Sequence, residues 1–171
     1  MNPLHERALQ LSRREFLGHS GTGLGLAFAR YKNRSGYACV VARVEAGTEI
    51  RLNHIWCTAD SGLAINPDGV RAQLEGGIIQ AASMALKEQL RIDEAGTATR
   101  SWADYPILRF SEIPPIDIEL MDELDEPSLG MGECTMGPTA AAIANATALA
   151  LGLRLRDMPL TRERIVAAAR E

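Results

Sequence analysis

The clearest pattern in the chain is Ile116-Asp117-Ile118-Glu119-Leu120, where apolar residues alternate with acids and predict a strand with one buried face and one wet face. Upstream, residues 37–44 are rich in Val with small and aromatic residues, Glu45-Ala46-Gly47-Thr48 is a loop, and 49–59 is a second strand-like run. Residues 24–31 form a short apolar run that reads as a buried strand, and the glycines before and within it, Gly21, Gly23 and Gly25, allow close backbone approach. A polar turn at 31–36 joins this run to the next, so the three strands read as an antiparallel meander. A further strand is expected over 98–104, and Pro106 holds 105–109 extended.

Helical spacing begins after Asn66, which reads as an N-cap with Pro67 at the first helical position. From 67 to about 90, Val70, Leu74, Ile78, Ala81 and Ala85 trace one apolar face that would lie on the sheet. Gln73, Gly77, Gln80 and Met84 form a second stripe, with its two amides roughly 10 Å apart along the axis. An amide both donates and accepts, and glycine removes the steric wall, so the stripe with Gly76 suits a ligand pressed against the helix. Packing of another helix or loop through those glycines accounts for it equally well. Pro138 reads as the start of an Ala-rich helix over 139–151, in which Ala141, Asn145 and Ala148 are small enough for close packing, and a last helix runs from a Thr161 cap to Arg170. The order of elements gives an α+β fold, a mainly antiparallel sheet with one long helix and C-terminal helices packed on it.

At 171 residues and 46% hydrophobic, the chain has enough apolar material for one core. A net charge of −4, scattered basic residues and 5% aromatics exclude the basic, stacking surface of a nucleic-acid binder. Cys39, Cys57 and Cys134 are odd in number and far apart, and His5, His19 and His54 are equally dispersed. Neither a disulfide framework nor a metal site built from protein ligands follows, so a metal would have to arrive inside a cofactor. No apolar run reaches the roughly 18 residues of a membrane span. Gly21-Thr22-Gly23-Leu24-Gly25 is followed by strand-like rather than helical residues, which excludes a dinucleotide loop. Over residues 1–20, Ser12-Arg13-Arg14-Glu15-Phe16-Leu17 resembles a twin-arginine export signal, while Leu4, Ala8 and Leu11 repeat as in an amphipathic helix, and both readings stand.

The chemistry concentrates in Gly130-Met131-Gly132-Glu133-Cys134-Thr135-Met136-Gly137-Pro138, one carboxylate among glycines at the mouth of a helix. Unpaired N–H groups there would favour an anionic ligand, and a lone carboxylate beside it is a candidate base. A plain connection, with Glu133 supplying capping electrostatics, is the structural alternative.

Five segments in order resemble the C-terminal part of the molybdenum-binding subunit of the xanthine dehydrogenase and aldehyde oxidase family, in its isoquinoline 1-oxidoreductase-like branch. They are the run from Gly23 through Ala29-Arg30-Tyr31-Lys32-Asn33, Asp60-Ser61-Gly62 through Asn66-Pro67-Asp68, Gln73-Leu74-Glu75-Gly76-Gly77, Asp104-Tyr105-Pro106, and Gly132-Glu133 with Gly137-Pro138 through Asn145-Ala146. The resemblance implies that residues 21–171 form a molybdopterin-cofactor-binding domain, partial relative to the family's subunit. It further implies Glu133 as catalytic base and Gln73 as a cofactor contact, with Gly76, Gly77, Gln80, Gly132, Cys134 and Gly137 as neighbours. The cofactor would be a molybdenum–pterin, in bacterial relatives the molybdopterin cytosine dinucleotide, with a [2Fe–2S] centre on a partner subunit. The substrate would be an N-heteroaromatic compound or an aldehyde, and the chain alone would be inactive without the remaining subunit domains. Its location would be cytoplasmic, or periplasmic with a genuine twin-arginine signal. Two other readings are a non-catalytic docking fragment and a thiol protein using Cys134, whose place near a helix N-terminus would lower its pKa.

Overall fold

Three long strands lie side by side at the start of the computed structural model, which describes residues 21–32, 36–47, 49–121 and 125–170. The readings of residues 1–20 lie outside the described residues, as do Asp122 and Glu123 of the acidic run. Strands β1 (Gly21–Arg30), β2 (Tyr37–Ala46) and β3 (Ile50–Asp60) pair antiparallel in sequence order, so the expected meander is present. Helix α1 (Pro67–Leu86) follows, then the two-residue strands β4 (Ile92–Asp93) and β5 (Gly96–Thr97), a 3-10 turn (Phe110–Glu112), and strand β6 (Ile116–Met121). Helices α2 (Met136–Leu151) and α3 (Arg162–Ala168) close the chain. The main sheet has the order β1-β2-β3-β6, with β6 parallel to β3 through the pairing of Ile55 with Ile116. A parallel neighbour needs a crossover, and α1 supplies it.

Local chemistry sets several boundaries. The Asn66 side chain accepts a hydrogen bond from the Gly69 N–H at 3.0 Å and Pro67 opens α1, as the sequence predicts. The helix ends at Leu86, four residues short of the expected limit, where Lys87 and Glu88 both donate N–H bonds to the Ser83 carbonyl. Helix α2 begins two residues before Pro138, with Thr135 as cap, and its first α-helical bond runs from the Thr139 N–H to the Thr135 carbonyl. Proline is tolerated anywhere in that first turn, because none of its N–H groups has an intrahelical acceptor. Residues 98–104 form turns rather than the expected strand. There the Ser101 hydroxyl and the Arg100 N–H bond the Asp104 carboxylate, a local closure that competes with extension.

Both α1 and α2 lie on one face of the sheet, and the core between them holds Val40, Val44, Ile55, Leu74, Ile78 and Ile143. Burying each such side chain is worth about 1.5–3 kcal/mol. The residues that pack α2 most tightly are not Ala141, Asn145 and Ala148 but Ala142, Ala146 and Ala150, which meet the glycines of β1. A Cβ placed on Gly25 would lie 2.1 Å from the Ala142 oxygen, on Gly23 2.0 Å from the Ala146 oxygen, and on Gly21 2.2 Å from the Ala150 oxygen. Only glycine at these three positions lets the helix lie directly on the strand. The Asn145 side chain serves differently, donating from Nδ2 to the Leu26 carbonyl at 3.1 Å. Strand β1 is also not buried on both faces, because Leu24, Leu26 and Phe28 alternate with the glycines and point away from the helices.

Candidate functional site

Glu133 stands in the loop between β6 and α2, one turn before the helix, where the Met136 N–H donates to its carbonyl at 3.1 Å. Its carboxylate is exposed, and the Tyr31 hydroxyl, at the end of β1, lies 3.5 Å from Oε2. The Lys32 ammonium sits 4.4 Å from the centre of the Tyr31 ring, adding a cation beside the pair. Three groups from two distant parts of the chain therefore meet at one end of the sheet.

The long helix reaches the same place. A Cβ built on Gly132 would lie 3.7 Å from Oε1 of Gln73, so the amide of α1 borders the glycine beside Glu133. One turn along the helix, Gly77 is buried against Thr135, whose hydroxyl would be 2.4 Å from a Cβ there and donates to the Leu74 carbonyl at 3.1 Å. This contact clamps the N-cap residue of α2 onto α1, which holds the loop before α2 against the helix that carries Gln73. For Gly77, packing of the loop through the glycine is thus the observed role. At Gly76, Gly130 and Gly137 an added Cβ would meet no atom within 4 Å, so all three open onto free space. Gly137 lies in the first turn of α2, where N–H groups lack intrahelical acceptors.

Two further sequence candidates have other surroundings in the structure. The Gln80 amide donates to the carboxylate of Glu88, at 3.1 Å and 3.4 Å to its two oxygens, and Tyr105 donates to the same carboxylate at 2.9 Å. That hydrogen bond is the main reason the Tyr105 phenol is pushed above its ordinary range. Cys134 is 3% exposed, its side chain belongs to the core, and burial pushes its thiol up to about 11. A thiol held neutral and out of solvent is the opposite of the low-pKa nucleophile that a helix N-terminus alone suggests. Tyr31 was not a sequence candidate. It precedes Glu133 by 102 residues, and no local pattern marks a tyrosine in a turn as a partner of so remote a carboxylate.

A large cleft of about 980 Å³ lies at the other end of the sheet, lined by residues such as Glu45, Ile50, Leu86 and Leu160. Along β2, Tyr37 and Glu45 are separated by roughly 26 Å, so this hollow is remote from Glu133. Among the described residues no three His, Cys, Asp or Glu side chains converge, and no helix is long and apolar enough to cross a membrane.

An α+β body whose long helix sets an amide against a glycine loop at the mouth of a second helix is a scaffold for binding a ligand there. The chain belongs to the molybdopterin cofactor-binding domain family, whose model matches residues 5–114, which include Gln73 and end before the Glu133 loop. It is 40% identical over 155 residues to a nicotinate dehydrogenase subunit of Pseudomonas putida, covering 85% of this chain and 13% of that protein. It is 34% identical over 151 residues to the beta subunit of isoquinoline 1-oxidoreductase of Brevundimonas diminuta, covering 86% of this chain and 19% of that protein. Among solved structures, quinoline 2-oxidoreductase from Pseudomonas putida 86 superposes with a TM-score of 0.74 at 29% identity, over 80% of this chain and 19% of that one. The chain therefore spans less than a fifth of the length of these relatives.

Proposed function

We propose that this chain is the cofactor-binding portion of a molybdenum hydroxylase that oxidises an N-heteroaromatic compound or an aldehyde, with Glu133 as the general base. The observation that carries the proposal is the approach of Gln73 to Gly132, which brings an amide from a helix flank to the loop that bears Glu133. The surroundings fit a pterin cofactor on two counts. Gly76, Gly130 and Gly137 leave open space around them, and the first turn of α2 offers N–H donors to an anion.

When bound, the molybdenum–pterin group would supply the redox chemistry of the hydroxylation. The chain's own part is to hold that group and to move a proton. Gln73 offers an amide donor and acceptor to the cofactor, with Gly132 and Gly137 giving backbone N–H groups to its anionic portion. Glu133 takes up a proton at a carboxylate oxygen, and Tyr31 with Lys32 steadies the charged form from the other side. General-base catalysis of this kind contributes about 10²–10⁴ in rate. Residues 21–171 act as one such domain, and the remaining molybdenum-subunit polypeptide and a [2Fe–2S] subunit complete the enzyme. The molybdopterin cytosine dinucleotide is the proposed form of the cofactor.

The test is to assemble the chain with the missing polypeptide and iron–sulfur subunit, then compare wild type with Glu133→Gln and Gln73→Ala. Glu133→Gln is expected to keep its pterin and lose about 10²–10⁴ in turnover. Gln73→Ala is expected to lower the pterin content itself. Wild-type turnover in the Glu133→Gln assembly would remove the base assignment.

A further inference from the structure

Among the described residues, the main sheet carries helices on one face only. On the other face β1 projects Leu24, Leu26 and Phe28, which are 55, 59 and 61% exposed. Leu26 is paired with Val41 of β2, Val41 is paired in turn with Trp56 of β3, and Phe28 stacks on Tyr37 with ring centroids 5.9 Å apart. Apolar side chains thus run without a break across three strands, a pattern that marks a surface covered by something else.

The edge of the sheet points the same way. β1 is an outermost strand among the described residues, and of its ten residues only the last, Arg30, is of the charged or proline kind that normally guards an edge against pairing. The opposite edge, β6, is guarded by Asp117 and Glu119 on the same open face. The unguarded region is therefore one corner, the outer face and free side of β1 together with β2. The relatives supply a candidate to fill it, because the matched region is only 13% and 19% of two of them, and most of their polypeptide lies outside it.

We infer that this corner seats the rest of the molybdenum subunit, which lays an apolar layer over Leu24, Leu26 and Phe28. The inference rests on the reading that the chain works as part of such a subunit. It assigns the docking face to the side of the sheet away from α1 and α2.

The experiment grafts this full chain in place of the matched segment of the Pseudomonas putida nicotinate dehydrogenase subunit, and compares carbene footprinting of the purified graft with that of the 171-residue chain alone. Labelling of Leu24, Leu26 and Phe28 is expected to fall at least tenfold in the graft. Leu26→Glu is expected to leave the melting temperature of the lone chain unchanged, because the position is exposed there, and to cut the yield of folded graft severalfold. Should the unmodified graft not fold, the same labelling is carried out on the chain co-expressed with the relative's subunit from which the matched segment has been deleted, and failure to associate overturns the inference. Equal labelling in the lone and assembled forms also overturns it, as does a lone chain that buries the corner in a stable dimer. Pterin extracted from the same preparations separates the two readings. Protection without pterin keeps the docking face and removes the cofactor proposal, whereas pterin with an unprotected corner does the reverse.

Discussion

Replacing Gly25 by alanine sets one methyl group against the backbone of α2, and the geometry gives the size of the effect. The new Cβ would lie 2.1 Å from the Ala142 oxygen and 2.2 Å from the Ala146 nitrogen, whereas ordinary contact begins at 3.4 Å. Backbone in the middle of a helix cannot step aside alone, so the whole helix must lift by roughly 1.3 Å at that point. A gap of up to about 1 Å already forfeits a quarter to a half of the dispersion energy of each contact it opens, and the contacts at risk include Ile143 and Ala146 against β2. Overpacking of this kind costs about 1–3 kcal/mol, partly offset by about 0.5–1 kcal/mol from the lower entropy of the unfolded alanine chain. Because the clash is with mid-helix backbone the upper half of that range applies, so the expected net loss is about 1–2.5 kcal/mol, which in a domain of this size lowers the melting temperature by about 2–10 °C. Circular dichroism melts and urea titrations of the full chain measure it. A Gly25→Ala protein melting with the wild type would refute the claim that α2 rests directly on β1.

The same substitution at Gly76 is expected to act in the opposite direction, because it has no neighbour within 4 Å and sits inside α1, so Gly76→Ala should add up to about 1 kcal/mol of stability in the same melts. Thr135→Val keeps the shape of the side chain and deletes the hydroxyl that donates to the Leu74 carbonyl. A loss of about 1–2 kcal/mol by urea titration is expected, and no loss would show that the clamp is only steric. Burial raises Cys57 to about 12 and Cys134 to about 11, from 9.0, and neighbouring thiols add to the shift at Cys57. The unfolded chain releases these protons first, so their contribution to stability is full below pH 9 and is lost as pH rises from there towards 11 and 12. Melting temperature should therefore fall across that window, and the Cys57→Ala, Cys134→Ala double variant should fall less steeply.

Features set by neighbouring residues were legible in the sequence. The alternation at 116–120, the Asn66 cap and the hairpin between β2 and β3 each depend on a few adjacent positions, and all three are present. What the local pattern did not carry was the choice among faces. Ala141, Asn145 and Ala148 are as small as the residues that actually meet β1, and the phase of α2 is set by the glycines of a strand more than a hundred residues away. For the same reason an apolar reading of 24–31 missed that only its glycine side is covered. At the candidate site, both the stripe on α1 and the glycine loop before α2 were visible in the sequence, and the structure sets Gln73 against Gly132. The Gln80 amide is engaged by Glu88, just past the end of α1, a charged acceptor that the helical stripe alone does not reveal. Cys134 departs because the burial of its side chain outweighs the helix terminus.

The contact between Leu26 and Asn145 spans 119 residues and lies among the last that a growing chain can make. Hairpins β1–β2 and β2–β3 close early over short loops, while the glycine side of β1 stays uncovered until α2 has been synthesised. During translation the strand is therefore open on both of its faces until the helix arrives, the kind of transient apolar exposure that favours aggregation.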